Sequence, residues 1–180
     1  MNYNQYDKYN NNKVNIDSLF GKSKKLNGQL VQMVGNESTK MICSKLLEAI
    51  TNKYFKTLKK AKNMHVNTPD EKKMLDILTK THHVFVEISP DTMFNGVNYP
   101  INVQQKDTYP FGTDERLRAT TRIVFLKLRN SDNKLVKKDF LTDLIIHEMA
   151  HTLANHVLYR VDDHGDDFIK AEKLFKKLWV

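Results

Sequence analysis

The segment that decides the fold is LIIHEMAHTLANHVLYRVDDHGDDF, which runs from Leu144 to Phe168. Its first two histidines, His147 and His151, are four residues apart. On an α-helix this spacing places both imidazoles on one face, one turn apart, where they can bind one metal ion. Glu148 lies beside the first histidine, close to such an ion without having to bind it. The pattern is typical of a zinc hydrolase, in which a glutamate serves as general base beside the metal.

Three residues compete for the place of third ligand. His156 follows His151 by five residues, so on a continuing helix it would lie about 140° around the axis and point away from the ion. Glu172 is far enough along the chain to reach back, but its surroundings, KAEKLFKK, are those of a solvated charge. His164 is the best candidate, because the intervening chain allows two more helical turns and a reversal at VDDHG, where Gly165 gives the backbone freedom. The alternative is a helix with surface histidines, since HExxH also occurs by accident.

HEMAH followed by HGDDF resembles the WLM/SprT-like zinc metalloproteases, which include the Spartan-type DNA–protein crosslink proteases. The strand RIVFLKLR and the helix start KKDFLTDLIIHE upstream also resemble that family, and the likeness covers about residues 40 to 179. The resemblance implies that His147, His151 and His164 bind zinc and that Glu148 is the general base. It also implies an α+β fold with a zincin-like, minigluzincin-type core. In that core a small antiparallel sheet packs on the HExxH helix, together with N- and C-terminal helices.

The chain departs from this family in two respects. The spacing between His151 and His164 is longer than in WLM proteins and closer to that of SprT proteins. The sequence also ends at Val180, without an extension that carries recruitment motifs. These departures bear on a role in crosslink repair and leave the expected peptide hydrolysis unchanged.

The remaining sequence predicts one domain, residues 16 to 180, after an Asn/Tyr-rich disordered tail over residues 1 to 15. Helical periodicity predicts a long helix over residues 37 to 62, and Thr68 with Glu71 forms a capping box for a second helix. His82 and His83 fall on a strand, where neighbours point to opposite faces, so we expect them to be structural. The other predicted elements are an irregular connection over residues 89 to 121, a strand at residues 122 to 129, the HExxH helix and a final helix.

The chain carries a net charge of +8, with a pI near 9.4, and has one cysteine, Cys43. One cysteine excludes a disulfide framework and a cysteine-rich zinc cluster. A basic surface favours a polyanionic partner such as DNA, and the lysines of the first helix could contact phosphates. No secretory signal or membrane-spanning run is visible, so we expect an intracellular protein of the cytoplasm or nucleus, or one packaged in a virus particle. The lysines near the C-terminal end of the helix predicted over residues 37 to 62 are Lys56, Lys59, Lys60 and Lys62.

Two hypotheses about function follow. The first is a zinc endopeptidase that hydrolyses peptide bonds with a metal-activated water and Glu148 as general base, acting on protein or peptide substrates. Its substrate would lie as an added strand along RIVFLKLR, in contact with Ile123, Phe125 and Lys127. The second is a basic structural or DNA-binding protein in which zinc only stabilises the fold. Glu148 favours the first hypothesis, because a purely structural metal site needs no base beside it.

Overall fold

The computed structural model describes residues 37–105, 117–157 and 164–180. Within these ranges the chain is α+β, as predicted, with four helices and one small sheet. The tail predicted for residues 1–15, and residues 16–36 of the predicted domain, lie outside the described residues. None of the described helices combines the length and the apolar character that crossing a membrane requires. The elements, in chain order, are α1 (Glu37–Asn63), α2 (Pro69–Lys80), β1 (His82–Glu87), β2 (Gly96–Gln105), β3 (Leu117–Leu126), α3 (Lys138–Leu153) and α4 (Asp166–Trp179).

The two N-terminal helices form where the sequence predicts them. Helix α1 covers the predicted residues 37 to 62 with one residue more. At the start of α2, the Thr68 hydroxyl accepts a hydrogen bond from the backbone N–H of Glu71 at 3.2 Å, and Pro69 occupies the first turn. A proline there loses no helical hydrogen bond, since the first N–H groups of a helix have no partner inside it.

The sheet is mixed, and the predicted antiparallel sheet is therefore wrong for one of its two pairings. Strand β3 lies in the centre, with β2 antiparallel on one side and β1 parallel on the other. The chain reverses direction between β1 and β2 and again between β2 and β3, so β1 and β3 run the same way. Because β3 inserts between the two earlier strands, β1 becomes its parallel neighbour. Alternation of apolar residues within each strand carries no information about this order.

Strand β2 occupies a region predicted to be irregular, so that prediction is wrong for Gly96–Gln105. The misleading residues were prolines and asparagines: Pro100 lies inside the strand and Asn102 has a positive φ of 51°. Proline is tolerated on an edge strand because its missing N–H can face away from the ladder. Strand β3 also begins earlier than predicted, at Leu117 rather than Arg122.

The prediction that RIVFLKLR forms an edge for substrate is also wrong. Strand β3 is central, and Ile123 and Phe125 each have a partner residue on both β1 and β2. Phe125 is completely buried. Lys127 follows the strand, where its backbone N–H donates to Asn95 at 2.8 Å and its ammonium donates to the Thr92 carbonyl at 3.0 Å. The structure therefore gives no basis for substrate contacts by Ile123, Phe125 and Lys127, since the backbone of β3 is already paired on both sides.

The main hydrophobic core lies between one face of the sheet and the helices. Strand residues Val124 and Leu126 belong to this main core, whereas Phe125 belongs to a second, smaller cluster on the opposite face. Burial on both faces explains why the apolar residues of this strand do not alternate strictly. Packing in the main core fixes α3, and with it the histidines. The helical residues of this core that lie on α3 and α4 include Leu141, Leu144, Ile145, Ile146, Met149, Leu153, Phe168, Leu174, Phe175 and Trp179.

Candidate metal centre

Helix α3 presents His147 and His151 on one face, as their spacing predicts. Their ring centroids are 5.1 Å apart, and both side chains are half-buried. Around them, nine of the sixteen residues of α3 are buried, among them Ile145 and Met149. The helix therefore sits firmly in the core with its histidine face turned toward the start of α4.

His164 completes a group of three imidazoles. It immediately precedes Gly165, the N-cap of α4, and its Nε2 lies 3.3 Å from Nε2 of His147. One ligand atom from each of His147, His151 and His164 falls within 4.8 Å of the other two. The structure thus brings the three predicted ligands close enough to hold one metal ion. Asp162 and Asp163 directly precede His164 in the sequence and could accept a hydrogen bond from a ligand imidazole, but they lie outside the described residues.

The three imidazoles suit a divalent metal in spacing, and two of them, His147 and His151, also in protonation. Two tetrahedral ligands at about 2.0–2.1 Å from zinc lie about 3.3 Å from each other, which matches the His147–His164 distance. A histidine must be neutral to bind a metal. Burial, followed by the charge of His164, lowers the pKa of His147. Burial is also the main cause that lowers the pKa of His151 to about 2. Both rings are therefore neutral at physiological pH.

Phe168, in the first turn of α4, is the packing centre of this histidine cluster. Its ring centroid lies between 4.6 and 5.0 Å from those of His147, His151 and His164. Phe168 is itself 4% exposed. One buried ring therefore contacts all three candidate ligands. His164 precedes Phe168 by only four residues in HGDDF, which keeps the third histidine next to this ring.

Glu148 follows the candidate ligand His147 in the sequence, and its carboxylate lies against Gly96 of β2. The side chain is 4% exposed, and burial raises the pKa of its carboxyl group to about 8. Gly96, at the start of β2, forms the opposite wall. A Cβ at position 96 would come within 3.0 Å of Glu148 Oε1 and 2.8 Å from Leu144 Cδ1. Asn95-Gly96 reads as a turn signal in the sequence, but the glycine serves a close approach of β2 to the carboxylate.

His156 does not lie on the far side of the helix, and the prediction that it points away is wrong. Helix α3 ends at Leu153, and Asn155 takes a left-handed conformation with φ 57°. The chain therefore turns back, and His156 Nδ1 lies 2.9 Å from His151 Nδ1. The prediction assumed that the helix continued past residue 153. His156 remains outside the three-residue metal group.

Glu172, the other rejected ligand candidate, is also absent from the three-residue group. It lies on the second turn of α4, where its negative charge acts to raise the pKa of His147 against the larger effect of burial. Its charge therefore reaches the cluster, although its carboxylate does not join the ligand atoms.

A buried polar network, which the sequence did not reveal, holds the end of α3. The Asn98 side-chain amide donates to the Glu148 carbonyl and to the Thr152 hydroxyl, the latter at 2.9 Å. His83 Nε2 lies 3.0 Å from the same hydroxyl, and its Nδ1 lies 2.7 Å from the Tyr54 hydroxyl. The network joins α1, β1 and β2 to the C-terminal part of the HExxH helix. His83 is thus a buried structural residue, as expected, and His82 is exposed.

Comparisons with known proteins give no match: no protein-family model, no curated protein and no solved structure matches this chain. The resemblance to WLM/SprT-like metalloproteases therefore stays a prediction that depends on the residues quoted above, as does the zincin-like character of the core.

Proposed function

We propose that this protein is a zinc-dependent endopeptidase. The observation that supports the proposal best is the meeting of three imidazoles from HEMAH and HG, with a buried carboxylate of raised pKa on the residue that follows the first of them. A metal site that only stabilised the fold would have no use for Glu148. Burying a carboxylate without a cation is costly, so its presence favours a catalytic role. The proposed ligands are His147, His151 and His164.

The chain's own residues have distinct roles in the proposed reaction. Zinc, when bound, would act as a Lewis acid that polarises the substrate carbonyl and makes water a better nucleophile at neutral pH. Glu148 takes a proton from the attacking water at its carboxylate and delivers it to the leaving amine. Burial raises the pKa of this carboxyl group to about 8 without metal, so its charged form is a strong proton acceptor, and a divalent cation nearby would favour that charged form. Gly96 keeps the carboxylate in place because no side chain intrudes from β2.

Metal analysis combined with a cleavage assay tests the proposal. Purified protein should bind about one zinc per chain and cleave an unstructured protein such as denatured casein. Glu148→Gln should keep the zinc and lose about 10²–10⁴-fold in cleavage rate. His147→Ala should lose both, and His82→Ala, at an exposed histidine outside the cluster, should keep both. Cleavage that survives Glu148→Gln unchanged, or a wild-type protein that binds zinc but cleaves nothing, would contradict an enzymatic role.

A second candidate function, nucleic-acid binding, is favoured by a groove between the ends of α1 and α4. The groove has a volume of about 620 Å³, and four lysines line it. Near it, Lys53 lies 4.8 Å from the centroid of the Trp179 ring. We propose that DNA phosphates bind here, so that the protein acts on DNA-bound proteins inside the cell or is packaged with DNA in a virus particle. The lining lysines are Lys56, Lys59, Lys60 and Lys177.

The salt dependence of DNA affinity tests this second function. Neutralising Lys56, Lys59 and Lys177 with glutamine should weaken DNA binding and reduce the slope of log affinity against log salt by about 2–3. The matched control replaces Lys72, Lys134 and Lys138, three exposed lysines elsewhere, and should change the slope less. Equal losses in both triple variants would show a diffuse charge effect instead of a binding groove. DNA binding by both wild type and Glu148→Gln, together with absent cleavage by the wild type, would support the non-catalytic hypothesis.

A further inference from the structure

We propose that His156 is a positioning residue that orients the metal ligand His151. The inference depends on the metal-binding part of the proposed function and adds to it a fourth histidine outside the ligand group. Nδ1 of His156 lies 2.9 Å from Nδ1 of His151, a hydrogen-bond distance between two ring nitrogens. This contact engages one nitrogen of His151 and leaves its Nε2 for the metal.

The backbone holds His156 in place on both sides. Its N–H donates to the His151 carbonyl at 2.9 Å, and its own carbonyl accepts a hydrogen bond from Arg122 at 3.0 Å. Arg122 is 1% exposed, and its other terminal nitrogen donates to Asn98 at 2.9 Å. The turn that precedes it is fixed by Asn155, whose side-chain amide donates to the Leu117 carbonyl at 2.9 Å. Hydrogen bonds therefore hold His156 in a defined position after the end of α3.

Phe168 fixes the plane of the His156 ring. The two rings are stacked, with an angle of 15° between their planes and 6.0 Å between their centroids. The same phenyl ring contacts His151 at 4.7 Å. A single buried side chain thus orients both partners of the Nδ1–Nδ1 contact, so their relative geometry is set on two sides.

The contact also determines which nitrogen carries each proton. A neutral imidazole has one N–H and one lone pair, and a ligand must offer its lone pair to the metal. For Nε2 of His151 to bind, its proton must be on Nδ1, which then donates to Nδ1 of His156. His156 is accordingly the acceptor, with its own proton on Nε2. Such partners of metal-binding histidines fix the tautomer and the ring orientation, and losing them costs about 10–100-fold in metal affinity.

Two substitutions of similar size separate positioning from packing. Asparagine at position 156 can place its side-chain oxygen where Nδ1 now lies, whereas leucine fills a similar volume without an acceptor. His156→Leu should weaken zinc binding by about 10–100-fold in competition with a chromophoric chelator, and His156→Asn should recover most of that loss. His82→Leu, at an exposed histidine, is the control and should leave affinity unchanged.

Nitrogen NMR of the zinc-loaded protein gives a readout that is independent of cleavage. In wild type and in His156→Asn, the His151 ring should show its proton on Nδ1 in slow exchange with water. In His156→Leu, exchange of that proton should accelerate. Equal zinc affinity and equal exchange in all three proteins would overturn the positioning role while leaving the metal site intact. A loss in His156→Leu as large as in His164→Ala would overturn it too, because His156 would then be a ligand. A wild type that binds no zinc would refute the proposed function itself.

Discussion

Two buried glutamates, Glu87 and Glu148, make the clearest comparison in this molecule. Their exposed fractions are nearly the same, 2% and 4%. Glu87, at the end of β1, accepts two hydrogen bonds from the Arg129 guanidinium, at 2.6 and 2.8 Å, and one from the Cys43 thiol at 3.7 Å. Glu148, on α3, has Gly96 opposite its carboxylate, and Leu144 approaches the same glycine.

The difference shows how the surroundings decide the role of a carboxylate. Burial raises the pKa of Glu87, but the hydrogen bonds and positive charge of Arg129 act in the opposite direction. For Glu148 only burial acts, and the pKa rises to about 8. The carboxylate of Glu87 is held in an ion pair that joins β1 to the segment after β3. A buried carboxylate with no cation partner among the residues that the structure describes, such as Glu148, is costly to the fold, and such cost is typical of functional sites.

The largest expected effect is on stability, at the paired glutamate. Glu87→Gln leaves Arg129, which is completely buried, with its charge uncompensated, so the free energy of unfolding should fall by about 3–5 kcal/mol. Glu148→Gln removes no cation partner and should change the free energy of unfolding by less than about 1 kcal/mol at pH 7. Urea unfolding of the two metal-free variants measures both values.

Arg129→Met sharpens this comparison from the other side of the pair. The Glu87 carboxyl group can take up a proton when its cation is removed, whereas a buried guanidinium cannot lose one. Arg129→Met should therefore cost less stability than Glu87→Gln. If Glu148→Gln proved as destabilising as Glu87→Gln, the distinction between a paired and an unpaired carboxylate would fail.

The next effect concerns Gly96, which separates β2 from Glu148. Gly96→Ala brings a methyl group to within 3.0 Å of the carboxylate, and Glu148 must move away. A displacement of this kind should lower kcat/KM by about 10²-fold, while zinc content stays near one per chain. Asn95→Ala, at the exposed neighbouring residue, is the control and should keep full activity. Unchanged cleavage in Gly96→Ala would show that the position of the carboxylate is not critical.

The histidine pattern was predictable because helical spacing alone places His147 and His151 together. The approach of His164 followed from a glycine-containing turn, and Thr68 marked the start of α2 by its capping chemistry. Each of these signals is local, so a few neighbouring residues suffice to generate it. The three metal-binding candidates therefore needed no knowledge of distant contacts, whereas the α+β class was implied by the resemblance to WLM/SprT-like metalloproteases.

The features that escaped prediction depend on contacts between distant residues. The order of strands is set by where β3 inserts, and Pro100 concealed an edge strand whose pairing comes from β3. His156 lies beside His151, not on the far side of the helix, because α3 ends at Leu153. That end depends on two hydrogen bonds between distant segments, from Arg122 to the His156 carbonyl and from Asn155 to the Leu117 carbonyl. The closeness of Gly96 to Glu148 likewise joins residues 52 positions apart in sequence. Local sequence patterns do not reveal contacts between such distant residues.

The smallest effect extends the comparison to a buried histidine that binds no metal. Neutral His83 has hydrogen-bond partners on both ring nitrogens, and burial, followed by the charge of Arg122, lowers its pKa to about 3. Between pH 6.5 and 3 the unfolded chain therefore binds a proton that the folded chain does not. Stability from this residue is complete above pH 6.5 and is lost as the pH falls, by about 2 kcal/mol from pH 7 to pH 5.

His147 and His151 titrate too, so urea unfolding of metal-free wild type must be compared with metal-free His83→Gln at both pH values. The variant should lose about 2 kcal/mol less than wild type over this interval, whatever its stability at pH 7. Equal losses in the two proteins would mean that His83 takes up its proton without unfolding, and that its polar partners tolerate the charge.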